Sequence, residues 1–319
     1  MSTATVSAKS AKKPKKAKAG VSPAMRRTKG EKIYNVVNII ILTLFALICT
    51  YPFYYLIINS LSSNQAAAAG DVTWYIKGLH WDNYKTVLGL DGLGTAAWIS
   101  VARTVVGTVL TVLASAYLGF MFTQQKMWKR SFWYRFVVIT MYFNAGLIPM
   151  FITMKNYGLT NNFWVYILPA IVQPFNIILV KTYIESIPAS LQEAAEVDGA
   201  GTMTVFWKIV LPMCTPILAT VAIFSAVNQW NSFQDTLIYM TDSKLWSLQY
   251  LLYTYINQAS SIANSVKANA ANAAMLATAA TPTAIRMTVS VIVVLPIMFI
   301  YPFFQRFFVK GMMLGAVKG

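Results

Sequence analysis

The sequence predicts an all-α, polytopic membrane protein with six transmembrane helices, and three observations carry that expectation. The chain has 319 residues, of which 57% are apolar and only 11% charged, and its mean hydropathy is +0.54. No ordinary soluble domain has that balance. Six apolar runs, near 33–59, 97–122, 133–155, 163–183, 213–239 and 286–309, are long enough to cross a bilayer at about 20 residues per span. Between the fourth and fifth, a polar interruption at 185–216 holds four of the ten acidic residues: Glu185, Glu193, Glu196 and Asp198.

Taken in order, residues 1–32 carry ten of the 26 Lys and Arg and show no apolar period. They are expected to form a disordered basic cytoplasmic tail that rests on an anionic membrane leaflet. The apolar run that follows is too long for a signal-peptide core and lacks a small-residue cleavage site, so it is expected to be retained as the first span. Residues 33–310 then form the membrane domain and 311–319 a C-terminal tail. Several spans contain Pro (Pro52, Pro149, Pro169, Pro174, Pro296, Pro302), which membrane helices tolerate where neighbours satisfy the freed carbonyls. Aromatic residues such as Trp98, Trp128, Trp133 and Trp164 lie near the run ends, as interfacial anchors do.

Orientation follows from the basic residues. With the N-terminus inside, inner segments hold nineteen Lys and Arg and outer segments seven, with Arg103 counted among the outer ones. This places both termini in the cytoplasm. The tail decides the matter, because without it the balance is nine to seven. Parity then puts the acidic interruption inside. Residues 60–96 and 240–285 become outer loops, the second rich in Ala, Asn and Ser after an aromatic opening (Trp246, Tyr250, Tyr253, Tyr255).

The acidic stretch is punctuated like two short helices with a bend. Pro188 suits a first helical turn, and Gly199-Ala200-Gly201 gives a stop with room for positive φ. Thr202 is expected to cap a second helix running to Val210, with Pro212 closing it and opening the next long one. Helices this short are marginal alone, so a docking role is expected. Glu193-Ala194-Ala195, then Gly199, then Ile209, Leu211 and Pro212 resemble the EAA loop of ABC importer permeases. That resemblance implies a cytoplasmic coupling loop at 185–212, seated in a cleft of a separate ATPase subunit. On this reading Glu193, Ala194, Ala195, Asp198, Gly199, Ala200, Phe206, Ile209, Leu211 and Pro212 form the ATPase-coupling element. Glu193 pairs with a basic group on the partner.

The ending Leu314-Gly315-Ala316-Val317-Lys318-Gly319 is similar to that of the second permease subunit in maltose-type sugar importers. It implies that Gly315, Val317, Lys318 and Gly319 reach between two ATPase subunits. Arg286 to Gly311, Gly158-Leu159-Thr160-Asn161-Asn162 and Trp230-Asn231-Ser232-Phe233 also fit, so the likeness covers about 33–319. It looks most like permeases for oligosaccharides or polysaccharide fragments. The implied partners are a second permease, two ATPase subunits, an extracellular or periplasmic solute-binding protein, membrane lipids and a sugar. The implied location is a bacterial cell membrane, multi-pass.

Catalytic chemistry finds no footing in the sequence. There is no Gly-x-Ser-x-Gly, His-Glu-x-x-His or phosphate-binding Gly-rich loop. ATP and Mg are expected on the partner ATPase subunits, with no cofactor in this chain. One His and two Cys, far apart, leave a metal site no material, and the clustering of the basic charge in the tail argues against nucleic acid. For the substrate path, Asn144, Asn228, Trp230 and Asn231 are candidates, because sugars are bound by amides and stacked aromatics. The alternative for each is a hydrogen bond between helices. An ion-coupled secondary transporter is the competing function. It needs ionisable groups at mid-membrane, whereas Arg103, Arg135, Asp235 and Arg286 are expected near span ends.

Overall fold

The computed structural model of the chain describes residues 29–268 and 284–299, which are helical with short connections. The chain divides into two compact units, Met1–Pro52 and Phe53–Gly319. Helix α1 (Lys29–Leu61) starts four residues inside the segment expected to be a disordered tail. In the first unit its apolar side chains, including Ile33, Ile39, Phe45 and Ile48, are exposed all round. That is the surface of a helix solvated by lipid.

In the second unit the expected outer loop 60–96 is a folded cap rather than a loop. Helix α2 (Asn64–Ala69) is capped by Ser63 and closed by Gly70, and α3 (Asp82–Leu88) follows. Three buried polar residues at the end of α1 hold the cap. Asn59 Nδ2 donates to the Val72 carbonyl at 3.3 Å, the Ser60 and Tyr84 hydroxyls lie 2.7 Å apart, and Ser62 Oγ accepts from the Lys77 amide at 3.0 Å.

Helix α4 (Leu93–Met121) is the hub of this unit and is one of two described helices long and apolar enough to cross a membrane unbroken, α1 being the other. Lipid removes most of the hydrophobic drive for helix pairing, so close packing by small residues must hold the bundle. α4 supplies them at every fourth position: Gly107, Thr111, Ser115 and Gly119. A Cβ on Gly107 would lie 2.8 Å from Gln229 Nε2, and one on Gly119 would lie 2.9 Å from Val180 Cγ1 and 3.1 Å from the Lys181 backbone nitrogen. Gly119→Val should therefore destabilise the α4 contact with the chain at 180–181 by about 1–3 kcal/mol through overpacking. Gly94→Ala, where nothing lies within 4 Å, should not. Thermal unfolding of the two variants checks this, and equal melting temperatures would refute it.

Three of the four remaining runs are interrupted, and the last is helical through Phe299, with 300–309 outside the described residues. The run at 133–155 forms α5 (Arg130–Thr140) and α6 (Leu147–Asn156), separated by a break in which Gly146 has φ +86°. The run at 163–183 becomes two 3-10 turns (Phe163–Tyr166, Leu168–Ala170) and α7 (Pro174–Glu185), bent by 46°. Pro169 and Pro174 lack the donors a continuous helix needs there. Next come α8 (Ser190–Val197), α9 (Thr202–Val205), a π-helical turn (Phe206–Val210) and α10 (Leu211–Met213). The run at 213–239 is α11 (Thr215–Asn231) and α12 (Gln234–Tyr239), parted at Ser232 and Phe233. Proline-rich and discontinuous helices persist in a membrane where neighbours or a cavity satisfy the freed groups.

Within the expected outer loop 240–285, the described residues 240–268 are structured as well. A 3-10 turn (Ser243–Leu245) leads into α13 (Leu248–Ala268). Its Leu248, Leu251 and Leu252 pack with Leu93, Ala96 and Trp230, and with Val289 and Val293 of the last described helix, α14 (Ala284–Phe299). Asn161, at φ +51°, joins this end to the 3-10 region. Its Oδ1 accepts from the amides of Thr241 (2.6 Å) and Asp242 (3.1 Å), and its Nδ2 donates to Thr241 Oγ1 (2.7 Å). The Gly-Leu-Thr-Asn-Asn stretch thus has a structural task.

Candidate functional site

The acidic interruption folds into an elbow, α8 to α10, with two unlike faces. Gly199 has φ +82°, a conformation costly for residues with a Cβ, and it turns the chain between α8 and α9. The expected cap is different: Gly201, in extended conformation, precedes α9, and Thr202 is already helical with no capping side-chain bond. The second helix is also not a plain α-helix to Val210. Pro212 cannot donate to the Lys208 carbonyl, and the Leu211 amide instead reaches the Phe206 carbonyl, widening the turn into a π segment. Nor does Pro212 open the next long helix directly. The bend of 78° falls at Cys214, and Pro216 sits in the first turn of α11.

The inner face anchors the elbow to the bundle. Val205, Phe206 and Val210 are buried with Ala116 and Phe120 of α4 and with Val180 and Ile184 of α7, and Ala195, Ala200 and Leu211 pack against the same cluster. The Phe206 ring lies 5.2 Å from that of Phe120. Side-chain ties add to this. Lys126 pairs with Glu196 at 2.7 Å and Gln124 Nε2 donates to Gln192 Oε1 at 3.3 Å, while within α7 Lys181 pairs with Glu185 at 2.6 Å. The Lys181 ammonium also sits 4.5 Å over the Tyr134 ring.

The outer face is left open. Glu193, Ala194, Asp198 and Pro212 are exposed, together with Val197 (87%), Met203 and Trp207, and Ile209 is half-buried. Among the described residues neither Glu193 nor Asp198 has a salt-bridge or side-chain hydrogen-bond partner, whereas Glu196 on α8 and Glu185 at the end of α7 are paired. The expected coupling residues therefore divide. Ala195, Ala200, Phe206 and Leu211 seat the elbow, and Glu193, Ala194, Asp198 and Pro212 are presented outward.

A polar node lies deeper. Arg103, expected near a span end and counted as an outer charge, is 1% exposed inside the bundle. Its guanidinium is held by both oxygens of Asp235, by Gln229 Oε1 (3.0 and 3.2 Å) and by the Ser232 carbonyl (3.3 Å), and it lies 4.2 Å over the Tyr166 ring. The carbonyl comes from the break between α11 and α12, so the interruption and the charge satisfy one another. Gln229 Nε2 donates to the Tyr166 carbonyl (3.0 Å), and Tyr166 Oη donates to the Leu245 carbonyl (2.7 Å). Thr236, Ser247 and Ser100 extend the network to the start of α13. Sequence reasoning missed this node, although an arginine inside an apolar run was the available signal.

Beside the node, a cavity of about 290 Å³ opens between α4, α7 and α11. Thr111, Gln173, Asn176, Ser225, Asn228 and Gln229 line it, with Ala170, Phe175 and Phe224, and among the described residues no charged side chain does. Of the expected path residues only Asn228 is here. Trp230 is buried, its Nε1 donating to the Val293 carbonyl at 3.0 Å, so it joins α11 to α14. Asn231 is exposed at the end of α11 and is not in the lining. Asn144 is exposed in the α5–α6 break, where its Oδ1 accepts from the Gly146 amide at 2.9 Å. The C-terminal residues Gly315, Val317, Lys318 and Gly319 lie outside the described residues.

Residues 112–314 match the family described as "Binding-protein-dependent transport system inner membrane component". Protein LplC of Bacillus subtilis (strain 168) is 33% identical, over 92% of this chain and 98% of its own length. The polygalacturonan/rhamnogalacturonan transport system permease protein YtcP of the same strain is 32% identical, over 87% and 96%. A solved bacterial ABC transporter involved in the import of the acidic polysaccharide alginate contains a chain of the same fold. It has TM-score 0.77 and 27% identity, with 88% of this chain and 98% of that one covered.

Proposed function

The chain belongs to the family of binding-protein-dependent transport system inner membrane components, and from that premise we propose that it forms half of the pore through which an ATP-driven importer moves an oligosaccharide or polysaccharide fragment. It is a transport subunit and not an enzyme. The observation that carries the mechanism is the two-faced elbow. Its inner face is packed on α4 and α7, while Glu193 and Asp198 stand unpaired among the described residues, beside exposed Val197, Met203 and Trp207.

An acidic and apolar outer face suits a cleft with basic and apolar groups on a cytoplasmic ATPase. Motion of that ATPase then reaches α4 and α7 through Phe206, Phe120 and Val180. Both termini are cytoplasmic on this reading. A second permease completes the pore, a solute-binding protein delivers the sugar from outside, and the C-terminal tail reaches between the two ATPase subunits. The carbohydrate assignment is supported by the relatives that are named for polygalacturonan, rhamnogalacturonan and alginate. Asn228 lines the cavity, which supports a role for it on the sugar path.

Uptake by the reconstituted importer tests this. Glu193→Lys should weaken attachment of the ATPase pair and reduce ATP-driven uptake at least about tenfold, as expected when a buried interfacial charge meets its like. Lys126→Ala removes only an exposed pair, worth at most about 1 kcal/mol, and should leave uptake near normal. Uptake that needs a proton or sodium gradient and no ATP would overturn the proposal.

A further inference from the structure

The cavity between α4, α7 and α11 has the makings of a binding site. Asn176 is 6% exposed and its side-chain amide has no hydrogen-bond partner among the described residues. Ser225, 7% exposed, has a buried hydroxyl that also lacks one. The Asn228 amide is free, and Gln173 makes one long bond, 3.4 Å to the Ala170 carbonyl. A hydroxyl buried without a partner, as at Ser225, is costly and rare unless something else occupies the space. The chain is non-helical at 171–173, between Ala170 and the start of α7 at Pro174, where it borders the cavity. Irregular backbone at membrane depth is tolerated where it lines a cavity, and substrate sites favour such breaks.

We infer that this cavity is a subsite for a single uncharged sugar ring. The inference rests on the carbohydrate-importer reading and adds the class of group recognised. Side-chain amides offer a donor and an acceptor together; a hydroxyl uses both, whereas a carboxylate uses only the donor and leaves the amide oxygen unmatched. Phe175 and Phe224, half-exposed at the rim, supply apolar faces for the C–H face of the ring. A volume of about 290 Å³ is at the small end for ligand pockets, which run from about 300 to 1,000 Å³, and fits one ring rather than a chain. Among the described residues, a carboxylate entering here meets no free cation in the lining. Arg103, behind Gln229, is already taken by Asp235, Gln229 and the Ser232 carbonyl. Any reading of acid groups on a substrate therefore falls to parts of the assembly other than this wall.

The test uses the assembled importer in liposomes with its binding protein, offered neutral xylo-oligosaccharides and oligogalacturonates of equal length. Asn176→Leu and Asn228→Leu should each lower ATP-driven uptake by about 3- to 10-fold, the effect of one lost hydrogen bond, with the subunits still assembled. Asn228→Lys, at an exposed position that tolerates the longer side chain, should raise the uptake of oligogalacturonate relative to xylo-oligosaccharide by about tenfold through a charge-assisted bond. Normal uptake in both leucine variants, or an unchanged ratio in the lysine variant, overturns the subsite and leaves the importer reading standing. If the unaltered importer moves neither probe and no sugar stimulates its ATP hydrolysis, the carbohydrate reading falls, and the subsite with it.

Discussion

Arg103→Ala should destabilise the bundle by about 3 kcal/mol, the largest single effect expected of any substitution considered. The charge pair it breaks is buried, with the Arg103 side chain 2% exposed and that of Asp235 20%. Removing one partner from such a pair leaves the other charge uncompensated and typically costs about 3–5 kcal/mol; the partial exposure of Asp235 places this case at the low end. The Ser232 carbonyl and Gln229 Oε1 lose their donor in the same step. Arg103→Lys should recover little, because a point charge cannot meet a carboxylate, an amide and a carbonyl at once. The double variant Arg103→Met with Asp235→Leu should recover most of the loss, since no charge then remains buried. Thermal unfolding of the purified assembly gives the comparison. A double variant no more stable than Arg103→Ala would show that the charge pair is not what holds this region.

Gly199→Val should separate ATP hydrolysis from uptake. At φ +82° an L-residue costs about 1–2 kcal/mol, and a β-branched one more. That lowers the population of the bent elbow by about tenfold or more. The open space around the position means that volume is not the issue, since nothing lies within 4 Å of an added Cβ. A graded series tests the backbone explanation. Asn, which tolerates the left-handed region, should keep most activity, Ala less, and Val least. The assay reads sugar uptake per ATP hydrolysed in proteoliposomes. Equal coupling in the Val and Asn variants would sink the account.

Much of the elbow was legible because its signals are local. Gly199 between an acidic helix and Gly201 announces a reversal of φ within a few residues, and the structure places one there. Four acids in one polar interruption marked it as exposed. Which two of them are free was not legible, since Glu196 is neutralised by Lys126, seventy residues away in sequence. The same limit hid the polar node, because Asp235 lies 132 residues from Arg103 and no periodicity links them. The run lengths were read from hydropathy, which does not register the backbone consequences of Pro169, Pro174 and Gly146, so continuous spans were expected where the chain is broken. Trp230 and Asn231 were chosen by residue type as path residues. The turn-by-turn phase of α11 points Asn228 to the cavity and sends the indole of Trp230 to α14. The small residues at 107, 111, 115 and 119 recur at every fourth position, a signal the sequence reading did not use, and at Gly107 and Gly119 an added Cβ would lie 2.8 and 2.9 Å from a neighbour.

Helix α4 carries Arg103 of the polar node, Thr111 of the cavity wall and Gly119 under the elbow without an interruption. Those three stations share one rigid rod about 24 Å long from first to last. A rod of that kind works as a crankshaft: twist applied at the elbow is carried along it to the polar node. The timing of its two ends is thereby set by helical phase, with no relay of side chains needed between them.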